Sequence, residues 1–115
     1  MVTKDAIELF LKEFKIKMSI WGILISGRKK NKDSISLLEI YPPEIIQVVK
    51  DLNVEDYSEG PLEELLNMGS PMWVFGKTMK GKEIYIKLTM GESNNQVLCI
   101  SFHIAEHSMK YPFKQ

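Results

Sequence analysis

Along the first fifteen residues, apolar side chains recur at Ile7, Phe10, Leu11 and Phe14, with Lys12, Glu13 and Lys15 between them. That spacing predicts an amphipathic helix over residues 3–15, with Thr3 as its N-cap and Asp5 suited to the positive end of the helix dipole. Residues 19–25 are short, apolar on both faces and rich in β-branched types, which predicts a buried strand. The polar run 26–34 (Ser-Gly-Arg-Lys-Lys-Asn-Lys-Asp-Ser) then reads as a basic loop. After Pro42 and Pro43 a second helix is expected, with Ile45, Ile46, Val49 and Leu52 on its apolar face and Asn53 as its stop. Residues 56–61 have the composition of a turn, and residues 62–67 of a short helix.

From Met72 the period changes to two. Three strands are expected, at 72–79, 82–90 and 96–104, joined by a Lys80-Gly81 turn and by a loop over 91–95. On the second strand, Ile84, Ile86, Leu88 and Met90 alternate with Tyr85, Lys87 and Thr89. On the third, Leu98, Ile100, Phe102 and Ile104 alternate with Val97, Cys99, Ser101 and His103. Matching the apolar faces brings Tyr85, Lys87, Ser101 and His103 to one side of the sheet. The same register sets Gly76 beside Tyr85, and a glycine there predicts open space above the sheet. Residues 107–115 are expected to run extended over the surface. The fold class is therefore α+β: one domain over residues 1–115, with N-terminal helices packed on an antiparallel sheet that ends in a three-strand meander.

Composition narrows the function. Fifteen basic residues balance fifteen acidic ones, so the chain does not grip nucleic acid through overall charge. Arg28, Lys29 and Lys30 form the one basic cluster and are candidates for contact with an RNA backbone. Cys99 is the only cysteine, which excludes an internal disulfide and fits a reducing, cytoplasmic setting. The N-terminal residues lack the pattern of a secretion signal, and the longest apolar stretch, residues 20–25, is too short to cross a bilayer.

His103, Tyr85 and Lys87 are the residues with chemistry to offer. Cleavage of RNA without a metal needs a group to move the 2′-hydroxyl proton, a donor for the leaving 5′-oxygen and cations for the phosphorane. His103 suits acid–base work, Lys87 charge stabilisation, and Tyr85 proton donation, phosphate orientation or stacking on a base. His103, Glu106 and His107 lack a further His or Cys, so no metal site and no cofactor is expected. No glycine-rich phosphate loop or nucleophile elbow is present.

The strand Gly81-Lys82-Glu83-Ile84-Tyr85-Ile86-Lys87-Leu88-Thr89, followed by Val97-Leu98-Cys99-Ile100-Ser101-Phe102-His103, resembles the last two strands of the motility quorum-sensing regulator (MqsR) toxins. Residues 48–57 resemble the helix and turn that precede that sheet, and Trp73 also has a counterpart. The resemblance implies a RelE-like fold and metal-independent cleavage of mRNA. It also implies inhibition by a cognate antitoxin carrying zinc-binding and helix-turn-helix domains. The family's strand tyrosine falls on Tyr85, and its last-strand lysine falls on His103. Its Tyr-Lys pair falls on Ser58-Glu59, which makes Glu59 a substitute base or RNA contact, and its glutamine falls near Val74. The chain is thus expected to be an endoribonuclease toxin of a toxin–antitoxin pair. A non-catalytic protein-interaction module, or degenerate toxin, is the alternative.

Overall fold

The computed structural model describes residues 2–63 and 69–114. Its elements are α1 (Lys4–Trp21), β1 (Ile23–Ile25), α2 (Lys29–Leu37), α3 (Pro42–Asp51), a 3₁₀ turn (Val54–Asp56), β2 (Tyr57–Leu62), β3 (Met72–Met79), β4 (Lys82–Thr89) and β5 (Val97–Ile104). The strands form one sheet in the order β1-β5-β4-β3-β2. The fold class is α+β, as expected, and β3, β4 and β5 make the antiparallel meander. The sheet as a whole is mixed, because β1 runs parallel to β5. Among the described residues, no helix is long and apolar enough to cross a membrane.

The first helix is longer than residues 3–15. Met18 continues the buried series Ile7, Phe10, Leu11 and Phe14, so the amphipathic face runs one turn further than the sequence boundary allowed. Gly22 stops the helix at φ +84°, with its N–H donating to the Met18 carbonyl at 2.8 Å. The expected strand shrinks to three residues. Thr3 caps the N-terminus as anticipated, accepting from the Ala6 N–H at 3.1 Å. Phe10 stacks on Trp73 at 4.8 Å and on Phe75 at 6.2 Å, so α1 covers one face of the sheet.

The basic run is a helix, not a loop. α2 has almost no apolar stripe, and side-chain hydrogen bonds hold it against β5. Asn31, only 1% exposed, donates to the carbonyls of Ser26 (2.9 Å) and Ile100 (3.0 Å) and accepts from the Phe102 N–H (2.9 Å). Ser34 accepts from the Ile104 N–H at 2.9 Å. These two side chains continue, along β5, the pairing that β1 begins at Val97 to Cys99. A strand edge that would otherwise be open is thereby closed.

Residues 57–62, expected as a turn, form the edge strand β2, paired with β3 through two register shifts. Tyr57 turns its ring against Trp73 and Phe75 and secures that strand to the core. The short helix expected at 62–67 falls mostly outside the described residues, and Leu62 itself belongs to β2.

One correction bears on the site. Strict alternation placed Leu98 and Ile100 on the core face of β5. Instead Val97, Cys99 and Phe102 are in the core, while Ser101 and His103 stay on the opposite face. A bulge opposite Lys87 and Leu88 inserts one residue and reverses the facing of the first half of the strand.

Candidate functional site

A cleft of about 540 Å³ lies on the sheet face turned away from α1. Cross-strand register builds its floor. One row runs Glu59, Val74, Lys87, Ser101 across β2 to β5, and the next runs Gly76, Tyr85, His103 across β3 to β5. The N-terminal end of α2 supplies Arg28 and Lys30 to the rim, and the segment after β5 supplies the facing wall. Four cations, Arg28, Lys30, Lys87 and Lys110, line the cleft against two carboxylates, Glu59 and Glu106. Its charge is therefore positive although that of the chain is zero.

Six of the seven residues singled out from sequence line this cleft: His103, Tyr85, Lys87, Arg28, Lys30 and Glu59. The seventh, Lys29, points elsewhere and pairs with Asp33 at 2.7 Å in a strongly exposed, one-turn salt bridge. The Arg28 guanidinium donates to Ser101 Oγ at 3.2 Å, and Lys30 pairs with Glu106 at 2.9 Å. Among the described residues neither Glu59 nor Lys87 has an ion-pair partner.

His103 lies on the expected side of the sheet but is only 7% exposed. Its ring stacks on Tyr85 with centroids 5.3 Å apart and planes 18° from parallel. Nδ1 lies 2.9 Å from the Ile104 carbonyl oxygen. A carbonyl can only accept, so Nδ1 carries the hydrogen and Nε2 is left for exchange with a ligand. Lys87 Nζ sits over the Tyr85 ring, 5.8 Å from its centroid. With His103 against one face, Tyr85 offers its hydroxyl, and base stacking on that ring is not the role the geometry favours. Burial raises the Tyr85 pKa, the Glu59 carboxylate adds to the shift, and Arg28 opposes it. The phenol thus stays protonated and can donate.

The space above Gly76 is not open. Tyr111 fills it: a Cβ at Gly76 would run into the Tyr111 hydroxyl and lie 2.9 Å from two ring carbons. The segment expected to run extended over the surface does lie there, but it folds back across β4 and β3. The pairing of a bare glycine with an aromatic residue 35 positions on is a signal that periodicity does not carry. Asn31 is likewise hidden by its basic neighbours.

No family model, curated protein or solved structure matches the chain. Among the described residues, no group of three or more His, Cys, Asp or Glu side chains is arranged to hold a metal ion.

Several groups around the core and cleft hold their protons more tightly than usual. Burial pushes the Cys99 thiol from 9.0 up to about 12. Burial, the hydrogen bond to Glu83 and that carboxylate's charge raise Tyr111, and burial followed by Glu59 raises Tyr57. Each pKa is higher folded than unfolded, so the folded chain keeps protons that the unfolded chain releases. The resulting stability is fully present below the unfolded values and is lost as pH rises through the folded ones. Urea midpoints are expected to hold steady from about pH 7 to about pH 8.5 and to fall from about pH 9.5 upward. A midpoint that is flat or rises across the alkaline range contradicts these shifts.

Proposed function

We propose that this cleft cleaves single-stranded RNA without a metal, and that the chain is a cytoplasmic endoribonuclease toxin with a RelE-like fold whose activity a cognate antitoxin restrains. The observation that carries the reading is the gathering, over two adjacent rows of the sheet, of a carboxylate with no ion-pair partner among the described residues, an imidazole with a free Nε2, a protonated phenol and two cations. The Glu59 carboxylate takes the proton of the ribose 2′-hydroxyl. The 2′-oxygen attacks the adjacent phosphorus, and Arg28, Lys87 and the Tyr85 hydroxyl stabilise the charge on the phosphorane oxygens. His103, protonated, gives its Nε2 hydrogen to the departing 5′-oxygen. The products are a 2′,3′-cyclic phosphate and a free 5′-hydroxyl, and the proton count balances because Glu59 gains what His103 gives up.

The purified chain is expected to cut unstructured RNA in the presence of EDTA, and its expression to arrest growth. Arg28→Ala and Lys87→Ala are each expected to lower cleavage about 10²-fold, because each removes a cation aimed at the developing charge. RNA that stays intact at high protein concentration, with termini unchanged, overturns the reading. A second reading, a module that binds a protein without cutting RNA, is favoured by Leu9, Ile16 and Ile20. These side chains are exposed along one face of α1. Intact RNA together with a stable complex that Ile16→Lys disrupts would select it.

A further inference from the structure

The segment that follows β5 is built into the cleft at a place the proposed chemistry does not use. His107, Ser108, Met109 and Lys110 all line the cleft, and none of them has a part in proton transfer or phosphorane stabilisation as set out above. The backbone groups of residues 107, 108 and 110 make no hydrogen bond among the described residues. An irregular segment that lines a cleft and whose backbone groups are not taken up within the protein can pair with the edge of an unstacked base, which is how sequence is read in single-stranded RNA. On the floor, His103 already takes one face of Tyr85.

The segment is also held in place. Both oxygens of one carboxylate grip it: Glu83 Oε1 accepts from the Met109 N–H at 3.2 Å, and Oε2 accepts from the Tyr111 hydroxyl at 2.7 Å. The Tyr111 ring occupies the seat above Gly76, where any other side chain would collide with it. Beyond it, Phe113 meets Tyr57 edge-on at 5.9 Å. A wall fixed at three points on β2, β3 and β4 has the rigidity that discrimination between bases requires.

We propose that residues 107–110 form the base-reading wall of the cleft, and that Tyr111, seated on Gly76 and bound to Glu83, is the positioning residue that sets it. This rests on the cleft being an RNA site. The consequence is that base preference and phosphate binding are separable: the first depends on the Glu83–Tyr111–Gly76 lock, the second on Arg28 and Lys87.

The test titrates inorganic phosphate and the four nucleoside 3′-monophosphates into the wild type and into Gly76→Ala, Glu83→Ala and Glu83→Gln. Binding is followed through the NMR signals of the His103 ring, and thermal melts verify folding. The wild type is expected to bind its preferred nucleotide about tenfold more tightly than its poorest, as one good set of base contacts provides. Gly76→Ala and Glu83→Ala should bring all four within about twofold of one another while leaving phosphate affinity unchanged. Glu83→Gln, which keeps an acceptor, should restore part of the preference. Full discrimination in folded Gly76→Ala and Glu83→Ala overturns the wall while leaving the phosphate site standing. A wild type that binds neither phosphate nor any nucleotide overturns the RNA site, and the wall with it.

Discussion

His103→Ala is expected to lower the rate of RNA cleavage by about 10²- to 10⁴-fold, the span that a positioned acid or base contributes. The ring is packed between Tyr85 and the backbone at Ile104, so the substitution also leaves a gap in the floor. His103→Gln, a polar side chain that cannot exchange a proton near neutral pH, separates the two effects. It should melt close to the wild type and still lose cleavage. Glu59→Gln should fail to the same degree, because the carboxylamide cannot accept the 2′-proton. A folded His103→Gln that retains more than about a tenth of wild-type cleavage would remove His103 from the chemistry, whose weight it is assigned by the usual contribution of such groups.

The second large effect is on stability. Asn31→Ala removes two donations and one acceptance at a side chain that is almost wholly buried. The Phe102 N–H and the Ile100 carbonyl would then be stranded on an unpaired stretch of β5. Buried backbone groups without partners cost about 1–3 kcal/mol each, so a loss of about 3 kcal/mol is expected. In a domain of this size that lowers the melting temperature by roughly 10–15 °C. Asn31→Asp tests the mechanism. It keeps the acceptor for Phe102 but sets a carboxylate against two carbonyl oxygens, so it should be no better than alanine. Ser34→Ala, which loses a single acceptor, should cost about 1 kcal/mol. A loss below about 1 kcal/mol for Asn31→Ala would mean that water or another side chain takes over the edge.

These two positions show where the sequence is informative and where it is not. His103 lies in a strand with two-residue periodicity, and the register that sets it beside Tyr85, with Gly76 beyond, follows from matching apolar faces. Lys87 and Ser101 follow from the same argument. Periodicity reports which face is buried, so it finds the residues of a sheet well. It does not report hydrogen-bonding partners far along the chain. Asn31 therefore read as part of a solvated basic run, although it is a buried linchpin. β2 read as a turn because Ser, Gly and Pro dominate residues 58–61, yet Tyr57, anchored on Trp73 and Phe75, draws those residues alongside β3. The bulge in β5 is equally silent: the apolar character of Leu98 and Ile100 looks like core character until pairing with β4 shows otherwise. Tyr111 was invisible for a different reason. Its seat is defined by what Gly76 lacks, and a missing side chain leaves no pattern of its own.

The parallel pairing of β1 with β5 has a consequence for how the molecule comes into being. Arg28 reaches Ser101 across 73 positions of chain, and Asn31 reaches Ile100 across 69. Closing so long a loop is entropically slow and must wait for the downstream strand to be made. On a translating ribosome, α2 therefore waits without its partner β5 while β2, β3 and β4 emerge. Arg28 and Lys30 meet the floor of the cleft only once β5 is in place. Until β5 pairs, that rim has nothing to close against and the cleft does not exist.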